Sequence, residues 1–336
     1  MHRSIRAFLL FGSLILSELA TGSAHADTCL PLKLLDQIQM VPENNGIRLM
    51  LPVTMNGVAE HMLFDTGTSI SSVTRALTQE LGLSAHPSLH AVLYDIDGDA
   101  SYDVTSIADF KFGQQEIRNA EFQIWPGADL RTADPHLAGI FTHDQLRQYD
   151  IDVDFAHGVL KLFSPDHCKG DVLYWKPAAV AEGEFDTRHG HINVEVTLDG
   201  QRFNGYIDSG AVHSLLSADS ARRLFGLTHG SPETKQAGMA QNNPQDLVYP
   251  HRFAKLEFDG VVVNNPDIAI LPNIIGRSAD RSQQSTGNRA IPRNTPAVVS
   301  QLIIGMDILR KLHIYIAFRE GRLYIAEVPA NSLSSK

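Results

Sequence analysis

The sequence predicts an all-β protein made of two related lobes, and three observations carry that prediction. A short motif occurs twice, as Phe64-Asp65-Thr66-Gly67-Thr68-Ser69 and as Ile207-Asp208-Ser209-Gly210-Ala211, with its aspartates 143 residues apart. Each copy follows an apolar run that alternates as a strand does. The landmarks around the two copies also recur in one order, which is the mark of an internal duplication.

The first 26 residues stand apart from this pattern. Arg3 and Arg6 precede the apolar run Ala7 to Leu16, and Ala24-His25-Ala26 has the small-x-small form of a cleavage site. They predict a signal peptide removed before Asp27, and hence a periplasmic or secreted protein with no integral membrane segment after cleavage. Losing Arg3, Arg6 and Glu18 takes the formal charge from −10 to −11. A surface that acidic excludes a nucleic-acid partner. Export also places Cys29 and Cys168 where a disulfide can form, with two free thiols as the alternative.

Lobe one is expected over 27–165 and lobe two over 186–330, joined by a linker at 166–185 and followed by a tail at 331–336. Val53-Thr54-Met55-Asn56-Gly57 and Val196-Thr197-Leu198-Asp199-Gly200 each end eight residues before their aspartate. Both predict a hairpin with a two-residue turn whose second strand runs into the Asp. Short helices are expected at Thr74–Leu81 and Ala218–Leu224. Downstream, Phe112 to Pro126 has the spacing of Phe258 to Pro272, each interval ending in a strand stopped by Pro.

Leu137-Ala138-Gly139 is matched with Ile303-Ile304-Gly305, and Asp144-Gln145-Leu146 with Asp307-Ile308-Leu309. This alignment leaves lobe one three residues longer between the Gly and the Asp. Short helices at 143–149 and 306–312, each followed by a hairpin, complete the two repeats. Residues 235–250 and 276–298 are expected to be irregular loops. Asp150, Asp152 and Asp154 alternate with apolar residues and predict one wet face of a strand. His213 is expected at the surface.

Two aspartates on equivalent loops suit acid/base chemistry. Like charges held that close share one proton over an acidic range. One carboxylate can then deprotonate a water while the other donates to a carbonyl oxygen. Gly67 and Gly210 allow tight loops and close approach, and the hydroxyls of Thr66 and Ser209 can bond across the lobe interface. Thr68 is expected to donate to Asp65, a bond that Ala211 cannot offer Asp208. No His/Cys cluster has the spacing of a metal site, and Ser69, Ser71 and Ser209 have no His/Asp partners in sequence that would support a serine hydrolase.

On these motifs the chain resembles the aspartic peptidases, the group of two-lobed pepsin-like and homodimeric retroviral enzymes. The likeness covers most of residues 45–325. The first motif is pepsin-like; the second, ending in Ala, is closer to the retroviral form, as if a dimer had been fused into one chain. The resemblance implies a bilobal aspartic-peptidase fold and an Asp65/Asp208 dyad that activates a water without cofactor or metal. It implies a peptide or protein substrate and a catalytic unit complete in one monomer. It further implies a β-hairpin flap, placed here at 88–108 with strands His90–Tyr94 and Ser101–Val104 and Tyr94 as the flap tyrosine. A binding module that keeps the fold without turnover is the alternative.

Overall fold

The Asn56-Gly57 and Asp199-Gly200 pairs carry positive φ at both positions, 51° and 86° in lobe one and 43° and 82° in lobe two. That is the backbone a two-residue type I′ turn requires, with Gly where a side chain is least tolerated. Each turn joins two strands as the sequence predicts: Leu49–Met55 to Val58–Phe64, and Ile192–Leu198 to Gln201–Ile207. The structure, a computed structural model, describes residues 29–43, 46–88, 92–94, 99–132, 134–185, 192–228, 231, 238–239, 247–271 and 302–328. The expected leader at 1–26, the tail at 331–336 and the loop at 276–298 lie outside the described residues.

The strand before each aspartate gains a parallel neighbour, Leu137–Phe141 in lobe one and Leu302–Ile304 in lobe two. Those neighbours pair antiparallel with Ser72–Val73 and Leu215–Ser217, the strands that follow the Asp loops. Each Asp loop therefore crosses the end of an intervening strand. Among the described residues the sheets around them hold eight strands in lobe one and nine in lobe two, and both are barrel-like. The helices Arg75–Glu80 and Ala218–Phe225 start on hydroxyl caps, Thr74 accepting from Leu77 N at 3.1 Å and Ser217 from Ser220 N at 3.3 Å. Those expected at 143–149 and 306–312 are shorter, a 3-10 turn at His143–Gln145 and a helix at Met306–Leu309.

A third sheet belongs to both lobes. The hairpins Asp150–Asp154/Val159–Phe163 and Leu312–Ala317/Arg322–Glu327 meet where Ile151 pairs with Ile316 and Asp154 with His313. Leu34–Gln39 and Val180–Glu184 form its two edges. Thus the 166–185 connection supplies a strand of its own and packs Val172 against Phe163, Tyr315 and Tyr324. The main hydrophobic core runs through both lobes without a break.

Two expectations change here. Asp150 and Asp152 are not on a wet face, for they are 0% and 1% exposed. Asp150 bonds His167 Nε2 at 2.6 Å and Phe318 N at 3.1 Å, while Asp152 bonds His313 and Tyr174. A strand that alternates Asp with apolar residues reads as half solvated, but the 166–185 connection lays His167 and Tyr174 against its Asp face. Buried carboxylates persist there because each has partners. The 235–250 stretch is not irregular throughout, since Leu247–Arg252 is a strand paired with Asp267–Leu271; residues 240–246 lie outside the described residues.

Cys29 and Cys168 are bridged across a sequence separation of 139 residues. Closing a loop that long removes many unfolded conformations. Replacing both cysteines with Ser should lower unfolding free energy by about 2–5 kcal/mol, measured by urea denaturation against the untreated wild type.

Candidate active site

The tips of the two Asp loops meet, and four hydrogen bonds cross between them. Thr66 N donates to Ser209 Oγ and Ser209 N to Thr66 Oγ1, each at 3.0 Å. Thr66 Oγ1 donates to Ile207 O at 2.9 Å, and Ser209 Oγ to Phe64 O at 2.7 Å. Each hydroxyl thus accepts from the opposite loop's amide and donates to the opposite strand's carbonyl, so both residues are satisfied although buried. Ser at 209 in place of Thr keeps both functions.

This arrangement presses each glycine against the opposite carboxylate. A Cβ on Gly67 would stand 2.3 Å from Asp208 Cγ, and one on Gly210 would stand 2.5 Å from Asp65 Cγ. Any side chain at either position would force the loops apart. The amides there hold the carboxylates as well: Gly67 N donates to Asp65 Oδ1 at 2.7 Å, and Gly210 N and Ala211 N to Asp208 Oδ1 at 2.9 and 3.0 Å.

Asp65 and Asp208 lie within hydrogen-bond reach of one another, and both carboxyls are pushed up from the ordinary carboxylate range. Burial is the main cause for each. For Asp208 the neighbouring Asp65 charge adds to it. At Asp65 the Gly67 amide, the Asp208 hydrogen bond and the Arg48 charge pull the other way. Such a pair can hold one proton between two oxygens and expose both a base and an acid to one small molecule. Tyr206, on the strand before Asp208, has its phenol pushed up first by burial and then by both carboxylates.

Behind the loops, each lobe repeats a brace. Ser71 N and Oγ donate to Asp144 at 2.9 and 2.5 Å, and Ser214 N and Oγ donate to Asp307 at 2.9 and 2.6 Å. Each serine hydroxyl then accepts a backbone amide, from Thr142 at 3.0 Å and from Gly305 at 2.9 Å. These partners correct the alignment of the repeats. Asp65 N donates to Phe141 O and Asp208 N to Ile304 O, both at 3.0 Å. Ile140-Phe141-Thr142 is therefore the equivalent of Ile303-Ile304-Gly305, three residues beyond the match made at Gly139, and the apparent length difference disappears. The glycine in common between the two triplets misled the alignment.

Gly305 is required in lobe two, where a Cβ would lie 2.6 Å from the His213 carbonyl. Lobe one instead accommodates Thr142, whose hydroxyl donates to Thr68 O at 2.8 Å. The bond expected from the Thr68 hydroxyl to Asp65 does not form among the described residues. The two carboxyls are unequal for another reason: the Arg48 charge acts on Asp65 in the downward direction. Sequence reasoning passed over Arg48, and it met the braces only as repeat landmarks. A signal for them was present: Ser71 and Ser214 both stand six residues after their aspartate. His213 is exposed, as expected, and lies 3.7 Å from Asp307.

Tyr94 lies on the two-residue strand Leu93–Tyr94, paired with Ala100–Ser101. Of the turn expected at Asp95–Asp99, residues 95–98 lie outside the described residues, as does His90. The second strand expected at Ser101–Val104 is divided, for Asp103 begins the long strand Asp103–Phe112 of the main sheet. Among the described residues no group of three His, Cys, Asp or Glu side chains is placed to hold a metal ion.

Removing one half of the crossed hydrogen bonds should expose their coupling. Ser209→Ala and Thr66→Val should each destabilise by about 1–3 kcal/mol, since each leaves a buried amide unsatisfied. In urea denaturation the double variant should lose less than the sum of the two; strict additivity would mean that the bonds act separately.

The profile of the aspartyl protease family matches residues 51–140 and 194–308, more than half of the chain and both Asp loops. A search by sequence among curated proteins finds no match. Among solved structures, conglutin gamma, a basic 7S globulin from lupine seeds, aligns with a TM-score of 0.50 at 9% identity over 91% of this chain and 97% of its own. Aspartic proteinase from Irpex lacteus aligns with a TM-score of 0.47 at 12% identity, over 89% and 99% of the two chains. Basic 7S globulin from soybean does so at 0.48 and 9%, over 91% and 98%. With its duplicated Asp loops and bilobal all-β fold, the chain belongs to the aspartyl protease family.

Proposed function

We propose that the protein is an aspartic endopeptidase in which Asp65 and Asp208 form the catalytic dyad. The observation that carries this reading is the reciprocal packing of each loop glycine on the other lobe's carboxylate, which leaves two part-buried carboxyls in mutual reach. In this mechanism the ionised carboxylate takes a proton from water as its oxygen attacks the scissile carbonyl carbon. The protonated carboxylate donates to the carbonyl oxygen, giving a neutral tetrahedral intermediate. Thr66, Gly67, Ser209 and Gly210 hold the loops; Thr68 contributes its carbonyl to the support beneath. The substrate is a peptide or protein, covered in part by the hairpin that carries Tyr94.

The Cys29–Cys168 bridge and the leader-like first 26 residues support a periplasmic or secreted location. No helix among the described residues is long and apolar enough to cross a membrane. Both aspartates come from one chain, which supports a monomeric catalytic unit.

A second reading is a peptide- or cell-envelope-binding module that does not turn over. It is favoured by the likeness to conglutin gamma, which is named a globulin. A peptide library incubated across about pH 3–8 separates the two. The peptidase should give sequence-specific scission that Asp65→Asn and Asp208→Asn each reduce at least about a thousandfold while the folded structure is retained. Saturable binding with no products would instead establish the module.

The raised carboxyls also fix a stability profile. A group whose folded pKa exceeds its unfolded value stabilises the protein below the unfolded value, and that contribution is lost as pH rises through the folded one. Asp208 has this sign. Asp208→Asn should therefore raise Tm at pH 7 relative to wild type, with the gain shrinking towards about pH 3. A Tm lowered equally at both pH values would contradict the burial account.

A further inference from the structure

We propose that Arg48 is a positioning residue of the dyad, keeping Asp65 as the ionised carboxylate so that Asp208 carries the shared proton. The inference rests on the peptidase reading above and assigns, within it, which carboxylate is the base. Asp65 then takes the proton from water and Asp208 donates to the carbonyl oxygen.

Arg48 stands just before the Leu49–Met55 strand, at the end of a turn opened by Glu43. Glu43 N donates to Arg48 O at 2.9 Å, and Gly46 N donates to Glu43 O at 2.6 Å. The Glu43 carboxylate grips the guanidinium with both oxygens, accepting from Nε at 2.8 Å and from Nη2 at 2.5 Å. A two-point contact fixes the plane of the fork as well as its place. The remaining Nη1 donates across the lobe boundary to Gly210 O at 3.3 Å. Gly210 is the residue whose Cα rests against the Asp65 carboxylate, so one peptide separates the cation from the carboxyl. Lobe two anchors the same turn from its other side, where Arg310 Nη2 donates to Gly46 O.

The other charged and titratable groups around Asp65 do not supply this field. Asp208 is the partner of the pair. Tyr206 is held in its neutral form by burial and by the two carboxylates. Asp144 and Asp307 face away, engaged by Ser71 and Ser214. Glu43 offsets part of the Arg48 charge, and the Arg48 charge itself acts on Asp65 in the downward direction. This offset gives the proposal its sharpest consequence: removing Arg48 and removing the Glu43 charge should act in opposite directions.

The test uses full-length protein carrying 13C at the Asp Cγ atoms, with the two resonances assigned through Asp65→Asn and Asp208→Asn. Carboxyl titrations and the pH profile of kcat/KM are measured for wild type, Arg48→Met, Arg48→Lys and Glu43→Gln. In Arg48→Met the first ionisation of the pair and the acidic limb should move to higher pH. On that limb kcat/KM should fall about tenfold, with little change at the plateau. Glu43→Gln should move both to lower pH, and Arg48→Lys should restore most of the wild-type profile. If Arg48→Met and Glu43→Gln lower activity alike at every pH and leave the titration unmoved, Arg48 is only a brace and the proposal is overturned. A wild type that titrates as described but cleaves no peptide would overturn the peptidase reading and leave the Arg48 assignment standing. Should Arg48→Met fail to fold, Glu43→Gln and Arg48→Lys still decide the matter through the direction of their shifts.

Discussion

The crossed hydrogen bonds between Thr66 and Ser209 are the constraint on which the rest of the site depends. Each hydroxyl sits at the one place where it can accept the opposite loop's amide and donate to the opposite strand's carbonyl. Neither lobe can satisfy its own loop alone, because half of every partnership lies in the other. The buried loop tips are therefore stable only as a pair, and their separation is set by hydrogen-bond length rather than by side-chain flexibility. That separation is what requires glycine at 67 and 210 and what brings the carboxylates together. The proximity of the two acids follows from the polar bonds beneath them.

Holding two carboxylates there works against the fold at neutral pH, since burial and like charge both disfavour ionisation. The structure meets this with donors: Gly67, Gly210 and Ala211 amides turn towards the pair. The same sign recurs behind the loop of lobe one, where burial pushes Asp144 up despite the Ser71 bonds. Acidic conditions thus relieve several buried carboxyls at once. A chain with a formal charge of −10 also loses self-repulsion as its carboxylates protonate.

Much of this was legible in the sequence because duplication turns local signals into positional ones. An Asp-Thr/Ser-Gly triplet alone is an ordinary turn; two copies at matching places, each after a hairpin, locate the paired aspartates and the hydroxyls beside them. The hairpin turns and the short helices beginning near Thr74 and Ala218 were readable from local chemistry. What failed were inferences that needed tertiary knowledge. The match at Gly139 followed residue identity, whereas the true equivalence of Thr142 and Gly305 is set by which amide the brace serine accepts. Asp150 and Asp152 looked solvated because nothing local shows that the 166–185 connection lies against their face of the strand. Arg48 gave no signal, since its partner at Gly210 is 162 residues away.

Fusion of the two lobes in one chain explains why the halves have diverged where they have. In a symmetric pair, any substitution appears on both sides of the axis, so a residue suited to one loop must be tolerated by the other. Here Thr142 and Gly305 occupy equivalent places with incompatible requirements: a Cβ at 305 collides with the His213 carbonyl, while Thr142 uses its hydroxyl to hold Thr68. Leu63, packed among Met50 and Leu137, answers to Tyr206 beside the carboxylates. The crossed bonds tolerate almost no change, and Thr66 and Ser209 differ by one methyl. Divergence around the two loops can therefore make two chemically identical acids unequal without moving them.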